Sequence, residues 1–250
     1  MRRCLSRSLL VCLLFATFAR AELPPDYKVV LLTENFPPFN MADNNKNFAR
    51  EKNISGLSAD IVREMFKRAD IKYTMTLRFP WDRIYNHTMN TANHGLFSTS
   101  LSEARKPLFK WVGPISKYES VLVGLDSSAP LKDLEEAKAY RIGAYQSAAV
   151  SQYIERLGFT PQNALRDQEN IRKLQSGKID YWATSDPVWR FYAKEQNATG
   201  LRTILSFHTS DLYLALNKDI PDEVVERLQA ALDQMRSEGY GTCKKNPELC

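Results

Sequence analysis

The sequence predicts an α/β fold with two lobes that form a clamshell, and two kinds of observation support this prediction. Two stretches of the chain follow the order strand, helix, strand, which implies parallel pairing within each lobe. Two further stretches, 113–125 and 207–219, are rich in β-forming residues and contain no helix. We expect these stretches to cross between the lobes as a hinge, so that lobe 1 comprises 22–116 plus 211–250 and lobe 2 comprises 117–210.

The first strand–helix–strand unit begins with the apolar segment KVVLLTE, residues 28–34. The Asn-rich segment 42–53 is predicted to be an exposed loop, and Ser58 is predicted to cap the helix that follows. The alternating segment KYTMTLRF, 72–79, supplies the second strand. The helix between them has apolar residues at a spacing of three to four, namely Ile61, Val62, Met65, Phe66 and Ala69.

The second unit begins with the strand YRIGAY, 140–145, and ends with the strand IDYWAT, 179–184. Two helices are predicted between these strands, over 148–157 and 168–175. Pro221 is expected to open a last amphipathic helix. Ligands of open α/β sheets bind outside the carboxyl ends of the strands, so the segments ENFPPF and SDP are expected at the mouth between the lobes.

The first 21 residues have the layout of a secretory signal peptide, with a basic start, a short apolar run and Ala-Arg-Ala at 19–21. The apolar run is too short for a transmembrane helix, and we expect cleavage near Ala21. The full chain has 34 Lys and Arg against 29 Asp and Glu, but four of these arginines lie in the signal, which leaves 30 against 29. A nearly neutral mature chain gives no reason to expect nucleic acid or an anionic membrane surface as a partner.

Two cysteines, Cys243 and Cys250, remain after the signal is removed. In an oxidising compartment, a close pair of this kind predicts a disulfide at the C-terminal end of the chain. A redox or metal-binding role is disfavoured because no histidine or third cysteine is near them in the sequence.

Three segments together resemble a known family: ENFPPFN, FSTSLSEARKPLFKWVGPI and IDYWATSDPVW. Their order and spacing are similar to those of the bacterial periplasmic solute-binding proteins of the polar amino-acid uptake family. Gly56 and Asp60 also match the family pattern, and the resemblance covers nearly all of 22–239. It implies the type II periplasmic-binding-protein fold, in which each lobe is an α/β sandwich.

The resemblance also implies roles for individual residues. Arg105 takes the place of the arginine that holds the ligand α-carboxylate, with Ser98 and Ser100 as hydroxyl donors, and a guanidinium pairs well with a carboxylate. Asp186 takes the place of the acid that binds the ligand ammonium. Phe36 corresponds to the aromatic platform, in a loop stiffened by two prolines, whereas Phe39 is expected to point into the core of lobe 1.

The chain departs from the family pattern at the second-lobe turn, where relatives have Gly-Thr or a similar pair. Ser147 and Ala148 stand here, and the backbone N–H groups at the helix start remain available to a carboxylate. Trp81 and Tyr145 are further candidates for the rim of the cleft. Glu34 could bind a basic distal group of the ligand, or it could simply be solvated.

The resemblance implies a binding protein that captures a small amino-acid-like zwitterion in the periplasm and delivers it to the membrane permease of an ABC importer. We expect a monomer with no cofactor, no metal ion and no catalysis. The alternative is a periplasmic cyclohexadienyl-type dehydratase on the same fold, in which Glu34 or Asp186 acts as a general acid. A sensor-input module is disfavoured because the sequence shows no signalling segment.

Overall fold

A nine-stranded mixed sheet runs through the computed structural model, which describes residues 23–43 and 46–240. The predicted signal peptide, its cleavage near Ala21 and the predicted pairing of Cys243 with Cys250 lie outside the described residues. No helix in the described ranges is both long and apolar enough to cross a membrane.

The first part of the chain forms six strands and two helices. The strands are β1 (Lys28–Thr33), β2 (Met41–Ala42), β3 (Phe48–Arg50), β4 (Ile54–Ser55), β5 (Lys72–Arg78) and β6 (His94–Ser100). The helices are α1 (Leu57–Arg68) and α2 (Trp81–Asn90).

The rest of the described chain adds five strands and five helices. The strands are β7 (Lys110–Leu125), β8 (Ile142–Tyr145), β9 (Gln162–Ala164), β10 (Tyr181–Asp186) and β11 (Leu201–Leu216). The helices are α3 (Leu134–Ala137), α4 (Ala149–Arg156), α5 (Glu169–Gln175), α6 (Val188–Glu195) and α7 (Asp222–Ser237).

The strand order of the large sheet is β3-β5-β1-β6-β11-β7-β10-β8-β9, and β2 pairs with β4 separately. Strand β1 is parallel to β5 and β6, and β8 is parallel to β9 and β10. Each half of the sheet therefore contains the parallel strands that the two strand–helix–strand patterns predict.

The two β-rich crossovers form the centre of the sheet. They are the 16-residue strands β7 and β11, which pair antiparallel from one half of the sheet to the other. The predicted lobe boundaries fall near the middle of both strands, where Lys117 pairs with Asp211. The division of the chain at these two positions stays a prediction.

Buried apolar side chains form two main clusters, one against each half of the sheet. In the first, α1 packs with α7 through residues such as Met65 and Leu228. The second lies around β7, β10 and α4. Phe39 is buried as predicted, but it packs in the second cluster with Tyr118 and not in the core of the first half, because its loop extends over the β7 hinge strand.

Two local predictions are wrong. Ser58 does not cap α1, since its hydroxyl lies 3.2 Å from that of Ser116 and Gly56 is the N-cap residue. The segment 42–53 is not wholly a loop, because β3 pairs antiparallel with the edge of β5. Pairing with β5 thus makes a strand of a polar segment whose sequence shows no alternation of apolar and polar residues.

Gly56 joins the proline-rich loop to α1. Its φ of +115° is strained for any residue with a side chain, and a Cβ there would lie 2.5 Å from the carbonyl oxygen of Phe39.

We expect Gly56→Ala to lower the free energy of unfolding by at least about 3 kcal/mol, because both the backbone and its neighbour must move. Gly177→Ala is the matched control, since Gly177 also has positive φ, +66°, but open space around it. It should cost about 1 kcal/mol in urea unfolding. Equal losses for the two variants would contradict this account of Gly56.

Candidate functional site

A cavity lies between the two halves of the sheet, at the carboxyl ends of β1, β6, β8 and β10. The volume of this cavity is about 130 Å³. Eight of the predicted site residues line it: Glu34, Phe36, Trp81, Ser98, Ser100, Arg105, Tyr145 and Ala148.

Arg105 is the buried cation of this cavity. It follows β6 and is only 4% exposed. Its guanidinium donates to the side-chain oxygen of Gln152 on α4 at 2.9 Å and lies 5.3 Å from the ring centre of Tyr85. Burial lowers the pKa of Arg105, but a guanidinium remains charged at neutral pH. Among the described residues no carboxylate pairs with it, so an anion in the cavity would find a charge that the protein leaves unneutralised.

The two serines of the predicted carboxylate site are already hydrogen-bonded within the protein. The Ser98 hydroxyl donates to the side-chain oxygen of Asn40, and the Ser100 hydroxyl lies 2.8 Å from that of Tyr118. Asn40 and Tyr118, both buried and both lining the cavity, are residues that sequence reasoning missed.

Two predicted site residues have an unusual backbone. Ser98 has φ +58° and Ser147 has φ +62°, whereas the other non-glycine residues with positive φ in the described ranges are Asp or Asn. Asp and Asn tolerate this conformation, but for serine it is uncommon, and such residues cluster at functional sites.

The start of α4 forms part of the cavity wall, on the side of the second half of the sheet. Ala148 is its N-cap residue and lines the cavity, although its N–H donates to the Tyr145 carbonyl at 3.2 Å. Ser147 does not line this cavity. Its carbonyl lies 3.5 Å from Arg105 Nη2 on the outer side of the cleft.

Phe36 and Trp81 supply aromatic surface. The Phe36 ring stacks on Phe39 with centres 5.3 Å apart and meets the Tyr118 ring edge-on. Trp81 begins α2, and its ring centre lies 5.8 Å from Arg105 Cζ. The proline-rich loop therefore places the Phe36 ring in the cavity wall, and the Phe39 ring packs against Phe36 without lining the cavity.

Glu34 and Tyr145 form a contact across the cleft. Glu34 follows β1 in the first half and is 6% exposed, and Tyr145 ends β8 in the second. The Tyr145 hydroxyl donates to Glu34, lying 2.7 and 2.8 Å from its two carboxylate oxygens. Burial raises the pKa of Glu34 to about 8, the hydrogen bond from Tyr145 opposes this, and the charges of Asp82 and Asp167 add to the rise.

The structure does not bring Asp186 into the cavity. Its carboxylate is bound by the guanidinium of Arg190, one turn along α6, at 2.8 Å, and by the indole N–H of Trp189 at 3.1 Å. An arginine four residues later on an exposed helix face captures this carboxylate, which is an interaction that the Asp-Pro motif alone does not reveal.

Asp167 lines the cavity instead, and the sequence analysis missed it. It precedes α5, and its carboxylate accepts from the indole N–H of Trp182 and from the Thr184 hydroxyl, both at 2.7 Å. Burial raises its pKa to about 6, against the opposing effect of these bonds. The available signal was an acid just beyond a strand end, but β9 has only three residues and was not recognised.

A family model for bacterial extracellular solute-binding proteins, family 3, matches residues 29–243. The chain belongs to this family. Its members bind small solutes outside the cytoplasm, and the cavity of this solute-binding protein lies between the lobes, where the strand ends converge. No curated protein sequence is similar enough to count as a relative.

Solved structures share the two-lobe fold. A histidine kinase sensor domain with similarity to periplasmic binding proteins has TM-score 0.75 and 16% identity, over 85% of this chain and 91% of that chain. An ancestral arginine-binding protein bound to arginine has TM-score 0.72 and 20% identity, over 86% and 94%. The arginine-, lysine-, histidine-binding protein ArtJ from Geobacillus stearothermophilus has TM-score 0.70 and 20% identity, over 85% and 90%. At these identities the likeness establishes the fold.

The buried acid Glu34 makes a testable contribution to stability. Its pKa in the fold, about 8, lies above the ordinary value of 4.5, so the folded state holds the proton more tightly than the unfolded chain. The free energy of unfolding of the ligand-free protein should therefore fall by up to about 1.4 kcal/mol per pH unit as the pH rises from about 5 to 8.

Chemical denaturation across this pH range measures the effect. In Glu34→Gln the slope above about pH 6 should disappear, while the contribution of Asp167, whose pKa is raised to about 6, remains at lower pH. Identical slopes above pH 6 in the wild type and the variant would contradict the raised pKa of Glu34.

Proposed function

We propose that this family member is a periplasmic binding protein that captures a small amino-acid-like zwitterion. The observation that carries the proposal is the buried Arg105 guanidinium, which faces the cleft with no carboxylate partner among the described residues. A buried charge is stable only when something compensates it, and the ligand carboxylate would supply that charge when it binds.

The remaining contacts divide between the ends of such a ligand. The ligand carboxylate binds Arg105 near the start of α4, where the N-terminal end of a helix favours an anion. The ammonium binds Asp167, which takes the role that the sequence analysis gave to Asp186. Phe36 and Trp81 enclose the carbon skeleton between them.

Closure of the lobes about β7 and β11 would bury the ligand, and the closed form would then be recognised by the permease of an ABC importer. The family description and the amino-acid-binding neighbours support this role. The predicted signal peptide supports a periplasmic location, and the monomeric state stays an expectation.

One observation favours a second function, that of a cyclohexadienyl-type dehydratase. Glu34 has a pKa of about 8, so at neutral pH it is a carboxylic acid that could protonate a leaving hydroxyl group. Incubation with prephenate, followed by ultraviolet detection of an aromatic product, tests this function, and the absence of product leaves binding as the activity.

The role of Arg105 is tested by calorimetry with a panel of amino acids and related zwitterions. For whichever ligands bind, Arg105→Ala should weaken binding by about 100-fold or more, roughly 3 kcal/mol, because the ligand carboxylate loses the buried cation that it pairs with. Arg83→Ala, an exposed arginine on α2, is the control and should bind as the wild type does. Equal affinity of Arg105→Ala and the wild type would refute the assignment.

The choice between the two acids is tested by a matched pair of variants. Asp167→Asn should weaken binding of an ammonium-bearing ligand by about tenfold or more, since the amide keeps the shape but not the charge. Asp186→Asn should change affinity by less than about twofold, as its carboxylate is held by Arg190. The reverse ranking would restore Asp186 as the ligand acid. Melting temperatures show whether each variant is folded.

A further inference from the structure

The cavity contains one more buried acid than a simple zwitterion requires. Asp167 fits the ligand ammonium of the proposed function, on which this inference rests. Glu34 is a second acid at the cavity wall, and in the described part of the chain no Lys, Arg or His side chain forms an ion pair with it.

The titratable groups that face Glu34 come from four elements, and none of them is a cation. They are Tyr145 at the end of β8, Asp82 on α2, Asp167 before α5 and Tyr192 on α6. Two carboxylates and two hydroxyls thus surround a third carboxyl group. Burial and the two carboxylates disfavour the ionised form of Glu34 until a positive charge arrives, while the hydrogen bond from Tyr145 opposes them.

The two arginines of the cavity wall do not supply this charge. Arg105 is held beside Trp81 and Tyr85, and the Arg166 guanidinium lies over the ring of Phe79, with Cζ 5.7 Å from its centre. Neither forms an ion pair with Glu34.

We propose that the cavity takes ligands that carry a second cationic group beyond the α-ammonium, and that Glu34 binds this group by releasing its proton to solvent. The carboxylic acid O–H bond of Glu34 breaks, the proton goes to water or buffer, and the carboxylate pairs with the ligand cation. Capture of the ligand and loss of one proton are then a single linked event.

The Glu34–Tyr145 contact brings no basic group to the carboxyl group. The Tyr145 hydroxyl lies within 2.8 Å of both carboxylate oxygens of Glu34, and it accepts from the backbone N–H of Trp81 at 3.4 Å. Glu34 therefore has a hydrogen-bond donor in this contact but no counter-charge before a ligand binds. When Glu34 releases its proton to bind the ligand cation, the Tyr145 hydroxyl still donates to the carboxylate.

The contact also joins the two lobes, because Glu34 and Tyr145 lie on opposite halves of the sheet. Affinity for a ligand with a second cation should therefore rise with pH, by about tenfold per pH unit below the pKa of Glu34, about 8, and level off above it. A ligand without the second cation should lack this dependence between about pH 6 and 8; below about pH 6 the protonation of Asp167 weakens binding of both ligands.

Titration calorimetry with L-arginine and L-citrulline tests the proposal, since the two have nearly the same shape and differ in the distal charge. At pH 7, parallel titrations in Tris and phosphate give the number of protons released, because these buffers differ in ionisation enthalpy. We expect close to one proton for arginine and none for citrulline, with arginine bound at least about tenfold more tightly.

Two variants separate the proton effect from simple structural damage. Glu34→Gln should bind arginine and citrulline about equally and release no proton. Tyr145→Phe removes a hydrogen bond that lowers the pKa of Glu34, so the rise of arginine affinity should shift to higher pH. Glu103→Gln, at an exposed acid that does not line the cavity, should behave as the wild type.

The outcomes distinguish this inference from the proposed function. If the wild type binds citrulline or other zwitterions but gains nothing from the charge of arginine, or if Glu34→Gln still releases a proton, the role of Glu34 is refuted while zwitterion capture stands. If neither arginine, citrulline nor any zwitterion of the panel binds, the proposed function fails and this inference fails with it.

Discussion

The antiparallel pairing of β7 with β11 is the interaction on which the rest of this structure depends. The two strands run through the centre of one sheet, so each half of the molecule is attached to both. The pairing includes the middle of β7, where Lys117 pairs with Asp211. The cavity lies beside this pair, and Tyr118 and Leu212 of the two strands form part of its wall.

Charged groups are costly in such a cavity, and their distribution supports the kind of ligand that we propose. Arg105 is buried in one part of the wall without a carboxylate, whereas the buried Glu34 and the half-buried Asp167 lie in another part without a cation. Within one cavity these groups do not neutralise each other directly, since each is held by its own neighbours. Burial lowers the pKa of Arg105 and raises the pKa of both acids, which is the sign expected when solvation is lost and no counter-charge replaces it. A ligand with an anionic end and a cationic end would supply a counter-charge to Arg105 and to the two acids.

The fold could be predicted largely from sequence because its signals are local and periodic. Three-to-four spacing identified α1, apolar runs identified β1 and β8, and the absence of helices in 113–125 and 207–219 identified the hinge strands. The prediction was wrong where the deciding contact is distant in sequence. Strand β3 exists because it pairs with β5, and Phe39 is buried against Tyr118 of the hinge strand.

The sequence by itself determined the kind of site and most of its wall: the proline-stiffened loop with Phe36, the serines after β6 and the arginine that follows them. These residues lie at strand ends, and a sheet brings its strand ends together whatever the details of packing. Only the tertiary structure decided which acid lines the cavity. Asp186 and Asp167 each sit just before a helix, and no local pattern separates them. The difference is that Arg190 binds the first, whereas Trp182 and Thr184 hold the second at the cavity. The raised pKa of Glu34 likewise depends on tertiary structure, because it follows from burial and is opposed by a hydrogen bond from Tyr145, a residue 111 positions away in the chain.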